Sequence, residues 1–320
     1  MTSLPTAPAR RPTTLHRTTA LLTVCALAVG VSGCDLRIGE SVPLTLPSAS
    51  EQESVRDALA RRTVLVSSTA SSFLTAFPED PDTAVASTLV ADTAVQLEAL
   101  GGVWEPYATP VPTTYPTASP VATAAAGASR DALVQALEEG TAQARQAALA
   151  ATDADEASLY GAMAVSWSVA LEALVPGSVD VVGRDALLTE PLPGDLLQAY
   201  DGARYALEEV AARSDEETRA RAQTQAAAAD DLVNASLALG GEDARLPAYA
   251  EPTAEDGASA EVTWARQVWL RLVDAEVVAV GTTTGQARTE ALDAALDAAL
   301  TAIAWGAEIT ALPGYALPED

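Results

Sequence analysis

Four pairs of adjacent acids, Glu138-Glu139, Glu208-Glu209, Glu216-Glu217 and Asp230-Asp231, are the groups from which general acid–base chemistry could be built. Hydrolysing a glycoside needs two carboxyls facing each other across the sugar, about 5–10 Å apart. Neighbours on a helix point about 100° apart, so none of these pairs converges on one substrate. They read as solvated helix faces, or as first-turn acids that favour the helix dipole. The acid-rich stretches "EDPD" (79–82) and "DADE" (153–156) lack the spacing and the glycine of a calcium loop. Both read as helix starts, with weak surface cation binding as the alternative.

The other catalytic side chains cluster at the beginning of the chain. Lysine is absent, the only histidine is His16, and the two cysteines are Cys25 and Cys34. The first nineteen residues are polar and basic, with Arg10, Arg11 and Arg17 and no acid. An apolar run follows, Ala20 to Val31 ("ALLTVCALAVGV"), too short for the roughly 20 residues that span a bilayer. Basic start, short apolar middle and small residues make a signal-peptide pattern over 1–33. Val31-Ser32-Gly33-Cys34 resembles a bacterial lipobox, which implies cleavage before Cys34 and a diacylglycerol on its thiol. Buried acyl chains contribute about 0.8 kcal/mol per methylene, enough in pairs to hold a protein on a membrane.

Such processing removes His16 and Cys25 and occupies Cys34. Nucleophilic triads then lack a base, zinc–thiolate sites lack ligands, and a Walker motif lacks its lysine. Three of the 18 arginines are lost as well, so 44 acids stand against 15 arginines, net −29. That surface repels phosphates, which argues against nucleic acid as a partner.

The elements that position the remaining side chains are helices. Residues 34–50 read as the lipidated cysteine and a tether with proline and glycine. Beyond it alanine dominates, the residue with the best helix propensity, and the pattern predicts helices at 51–77, 81–101, 130–152, 154–175, 195–213, 215–240, 259–281 and 286–306. Capping boxes mark three starts, Ser50 with Glu53, Asp153 with Glu156, and Ser214 with Glu217. Asp80 before Pro81 reads as a fourth cap. Leu196, Tyr200, Ala203, Leu207 and Val210 form one apolar stripe, and Leu292, Leu296, Leu300 and Ile303 another. No segment alternates as a strand would, so the fold class is all-α.

A repeat divides the chain. "LEALGGVWEPYATP" (97–110) and "LALGGEDARLPAYAEP" (237–252) both end a helix with Leu-Gly-Gly and continue through Tyr-Ala-x-Pro. Each half has a helix pair, a long crossover and a second pair, the connectivity of a ferritin-like bundle. The expected domains are an N-terminal unit at 51–175, with a mobile Pro/Thr-rich crossover at 102–128, a linker at 176–194, a C-terminal unit at 195–312 and a tail at 313–320. With "LLQAYDGARYALEE", "LPAYAEP" and the closing "ALPGY", the segment Pro193–Tyr315 resembles the ferritin-like domain family of unknown function in Ala-rich lipoproteins of high-GC Gram-positive bacteria. The resemblance implies two tandem ferritin-like four-helix units. Family members often carry a Glu-His pair in the first helix of the domain, where this chain has Tyr200 and Asp201. A di-iron bundle needs histidine, so no metal and no cofactor are expected here.

Glu276 is the remaining acid of interest, because it lies beside the apolar stripe of Trp269 and Leu272. It reads as an edge carboxylate paired with an arginine such as Arg204 or Arg266, or as a buried acid facing a ligand. The first reading is favoured, since acids in such places usually reach water or a partner. Large aromatics among alanines read as core anchors, but Tyr200, Trp269 and Glu276 are the candidate ligand-binding residues if a pocket lies inside the C-terminal bundle. The expected function is non-enzymatic: a lipoprotein anchored at Cys34 to the outer face of the cell membrane, with a protein partner in the envelope. The alternative is a small-molecule binder with an apolar pocket in the C-terminal bundle.

Overall fold

A computed structural model of the chain describes residues 45–107 and 109–317. The signal segment, Cys34 and the start of the tether lie outside the described residues. The described residues form eight helices: α1 (Glu51–Ala76), α2 (Thr83–Ala99), α3 (Arg130–Ala150), α4 (Ala154–Leu174), α5 (Gly194–Arg213), α6 (Glu216–Ala238), α7 (Ala260–Thr282) and α8 (Gly285–Ala304). There is no strand among the described residues, and the fold is all-α.

The helix starts follow their capping chemistry, with two corrections. Ser50 Oγ accepts from the Glu53 amide and Asp153 Oδ1 from the Glu156 amide, both at 3.0 Å. The cap of α6 is Asp215 rather than Ser214; its carboxylate accepts from the Thr218 amide at 2.9 Å. Asp80 does not cap α2. Its carboxylate instead accepts from the Asp82 amide at 2.9 Å, which closes the turn through Pro81 and delays the helix to Thr83.

The Leu-Gly-Gly motif ends α2 and α6 in the same way. Gly102 N–H reaches the Leu97 carbonyl and Gly241 N–H the Ser236 carbonyl, with the inner bonds Gly101 to Glu98 and Gly240 to Leu237. This is the Schellman cap, and Gly101 and Gly240 take the left-handed φ it requires, 71° and 84°. The first crossover is laid along α1. Ser68 Oγ accepts from the Ala124 amide, and Ser72 accepts from the Ala128 amide and donates to the Ala125 carbonyl.

Packing puts α4 at the centre. Helices α1, α2, α4 and α3 close one four-membered ring, and α3, α4, α7 and α8 close a second. Helix α5 lies on α7, and α6 on α5. By length and composition α4 could cross a membrane, but 72% of its apolar window is buried inside the body. Every residue from Leu159 to Ser168 is buried, so it is a core helix with neighbours on all sides. Close approach of α7 to α4 depends on Gly281, where an added Cβ would come within 2.7 Å of the Ala154 carbonyl oxygen.

The stripe expected on α8 is only half right. Leu292 and Leu296 are buried, but Ile303 is 37% exposed. Because α8 packs on α7 and on α4, it buries two faces, and the second consists of Ala291, Ala295, Ala298 and Ala302. Small side chains let those helices approach, while Ile303 is left beyond the seam.

Candidate functional site

Tyr200 and Glu276 meet in the core, and the group that joins them comes from the 176–194 linker. Glu276 sits on the inner face of α7 and is fully buried; Tyr200 on α5 is 7% exposed. The Tyr200 hydroxyl donates to Glu276 Oε1 at 2.6 Å. Arg184 Nε donates to the same oxygen at 2.8 Å, and Arg184 Nη2 donates to Oε2. The guanidinium therefore grips the carboxylate in the two-pronged geometry that arginine favours. Glu290 Oε2 lies 4.0 Å from Arg184 Nη1 at the outer edge. The expectation of an edge carboxylate paired with an arginine such as Arg204 or Arg266 holds only for the type of partner, because Glu276 is fully buried and its arginine is Arg184. Both are engaged elsewhere, Arg204 with Asp201 and Glu208, and Arg266 with Glu255 and the Trp305 carbonyl.

Burial pushes the Glu276 carboxyl up, and the bonds from Arg184 and Tyr200 oppose that. Burial, followed by the neighbouring Glu276 charge, holds the Tyr200 hydroxyl well above its ordinary value. Tyr200 is thus a neutral donor and Glu276 an acceptor with both oxygens in use. A cavity of about 430 Å³ borders this cluster, walled by Arg184, Leu196, Ala279, Thr283 and Glu290.

Trp269 does not join the cluster. It lies two turns before Glu276, and its Nε1 donates to Gln225 Oε1 at 3.2 Å. Trp305 Nε1 shares that acceptor at 2.9 Å. Arg221 of α6 stacks over the Trp305 ring at 4.0 Å and donates to the Ala304 carbonyl. This aromatic group ties α6 to the end of α8.

Asp201, next to Tyr200, faces the other way and is 1% exposed. Oδ1 accepts from Arg204 at 2.8 and 3.0 Å, and Oδ2 accepts from the Tyr249 hydroxyl at 2.7 Å. Tyr249 belongs to the "LPAYAEP" crossover, and its ring lies on Gly202, where a Cβ would sit 3.1 Å from Cε1. The first half has a counterpart. Asp57 accepts from the Trp104 amide at 2.8 Å and from Arg61 at 2.7 Å. In both halves an aspartate on the first helix, held by a nearby arginine, bonds to the crossover, through the Trp104 amide in the first and the Tyr249 hydroxyl in the second.

Two further buried polar centres had no place in the sequence reading. Gln96 on α2 is fully buried. Its Oε1 accepts from Trp167 Nε1 at 2.8 Å, and its Nε2 donates to the Ala311 carbonyl at 2.9 Å and to Ser166 Oγ at 3.2 Å. Arg288 on α8, 3% exposed, donates to the Ala148 and Ala151 carbonyls at the end of α3 and to the Thr283 carbonyl. A cation at a helix C-terminus also meets the negative end of its dipole.

Among the described residues no three or more His, Cys, Asp or Glu side chains cluster closely enough to hold a metal ion. Compared with known proteins, the chain matches no family model, no curated protein and no solved structure.

Proposed function

We propose that this chain is a lipoprotein, anchored through Cys34 to the outer face of the cell membrane, whose acidic helical body binds a partner protein in the envelope. The observation that carries this reading is the inward pairing of the buried acids. Glu276 is closed by Arg184 and Tyr200, and Asp201 by Arg204 and Tyr249. Most of the other carboxylates lie at the surface, where they steer and select a partner of opposite charge. The two halves are read as copies of one ferritin-like unit of the family that the sequence resembles. In support, α2 and α6 share a cap, and Asp57 and Asp201 each bond to the crossover of their own half.

Cross-linking in intact cells tests the reading, with the full chain and its Cys34→Ala variant produced in a Gram-positive bacterium. A basic envelope protein should be recovered with the full chain and lost when capture precedes cross-linking in about 0.5 M salt, because exposed charges are screened within about 4 Å there. Cys34→Ala should recover much less of it. Recovery that is indifferent to salt and to Cys34 would contradict the reading.

A further inference from the structure

A second cleft lies between α2, α4 and the segment after α8, with a volume of about 360 Å³. Its walls are Val85 and Leu89 from α2, Val169 and Ala170 from α4, and Ile303 and Ile309 from the C-terminal side. Ile303 is the large apolar side chain that the α8 seam leaves partly in water. Asp92 of α2 projects into these walls. Unlike Glu276 and Asp201, it has no hydrogen-bond or ion-pair partner among the described residues. Burial alone pushes its carboxyl up, to about 6.

The polar groups around Asp92 are few, and α2 itself adds only the hydroxyl of Thr88. The segment after α8 contributes Glu308, α4 contributes only the hydroxyl of Ser166, and no arginine lines the cleft. An unpaired, half-buried carboxylate costs stability and is relieved by a cation. A hard metal ion does not suit the place, since it takes six or more oxygen ligands. A quaternary ammonium prefers aromatic walls, and none of the walls here is aromatic. An ammonium with N–H donors on an aliphatic body satisfies both the acid and the walls. A volume of about 360 Å³ falls at the small end of small-molecule sites, roughly 300–1,000 Å³. The net charge of −26 also concentrates cations near the surface.

We propose that the cleft at Asp92 binds a small aliphatic amine, its ammonium on the Asp92 carboxylate and its chain against Val85, Leu89, Val169, Ile303 and Ile309. This site is separate from the Arg184–Glu276–Tyr200 cluster.

Calorimetric titration of the full chain in nonionic-detergent micelles tests this, with hexylammonium chloride as the probe, 1-hexanol as the uncharged match, and empty micelles as the blank. Hexylammonium should bind once per chain at pH 8, at least tenfold more tightly than hexanol. Asp92→Asn should weaken hexylammonium at least tenfold and leave hexanol unchanged. Binding should also weaken as the pH falls through about 6, where Asp92 takes up a proton. Ala170→Phe, which fills the cleft and leaves the charge in place, should abolish binding. Equal binding of hexanol and hexylammonium, full binding by Asp92→Asn or by Ala170→Phe, or no saturable binding up to about 10 mM would each overturn the proposal.

Discussion

Replacing Arg184 with methionine should destabilise the protein by about 3–5 kcal/mol, because it leaves the Glu276 carboxylate buried without its cation. In a chain of this size that is roughly 10 °C in Tm. The loss should depend on pH. Burial already holds the Glu276 carboxyl above its ordinary value with Arg184 opposing, so removing Arg184 pushes it higher still. The folded variant then binds more protons than its unfolded chain, and its stability falls as pH rises above the unfolded value of about 4.3. The deficit against the parent protein should therefore be largest near pH 8 and shrink towards pH 5. Combining Arg184→Met with Glu276→Leu and Tyr200→Phe removes all three polar partners together, and that variant should lie within about 2 kcal/mol of the parent. Chemical denaturation across this pH range reads all of these outcomes. A loss below about 1 kcal/mol, or one that does not change with pH, would show that the ion pair is not the closed, buried unit described above.

Gln96→Leu should cost about 3 kcal/mol, because the Trp167 indole N–H and the Ala311 carbonyl would both be left buried without a partner. Its effect should be local as well. Gln96 joins α2 to the core helix α4 and to the closing "ALPGY" segment. Hydrogen exchange over residues 307–315 should rise by at least tenfold, while α5 and α6 keep their protection. Uniform acceleration along the chain, or none at 307–315, would mean that the C-terminal segment is held by something other than Gln96.

The helices were legible because their punctuation is local. Ser50, Asp153 and the two Leu-Gly-Gly ends carry their bonds within a few residues, and each helix boundary lies within two residues of the position read from sequence. Tyr200 and Glu276 were legible as stripe and near-stripe positions. Arg184 was not, because it sits in a segment with no periodicity and reaches Glu276 across 92 residues. One signal was present, since Arg184 is the sole basic residue between Arg145 and Arg204, and a buried acid in a chain without lysine has few partners to choose from. Gln96 follows Leu89 and Thr93 at helical spacing, so its face could be read from the sequence, but not its bond to Ala311, 215 residues away. The shift of the α8 stripe has a similar cause. Periodicity registers the large side chains, whereas contact with two neighbouring helices is made by alanines that a hydrophobic stripe does not distinguish from filler.

The proposed lipid at Cys34, which would carry the acidic helical body, can be read from the intact mass of the full chain recovered from the membrane fraction of a Gram-positive host. The expected result is a chain that begins at Cys34 and carries the added mass of a thioether-linked diacylglycerol, with Cys34→Ala absent from that fraction. A chain released into the medium with a free Cys34 thiol, or one that begins at another residue, would contradict it.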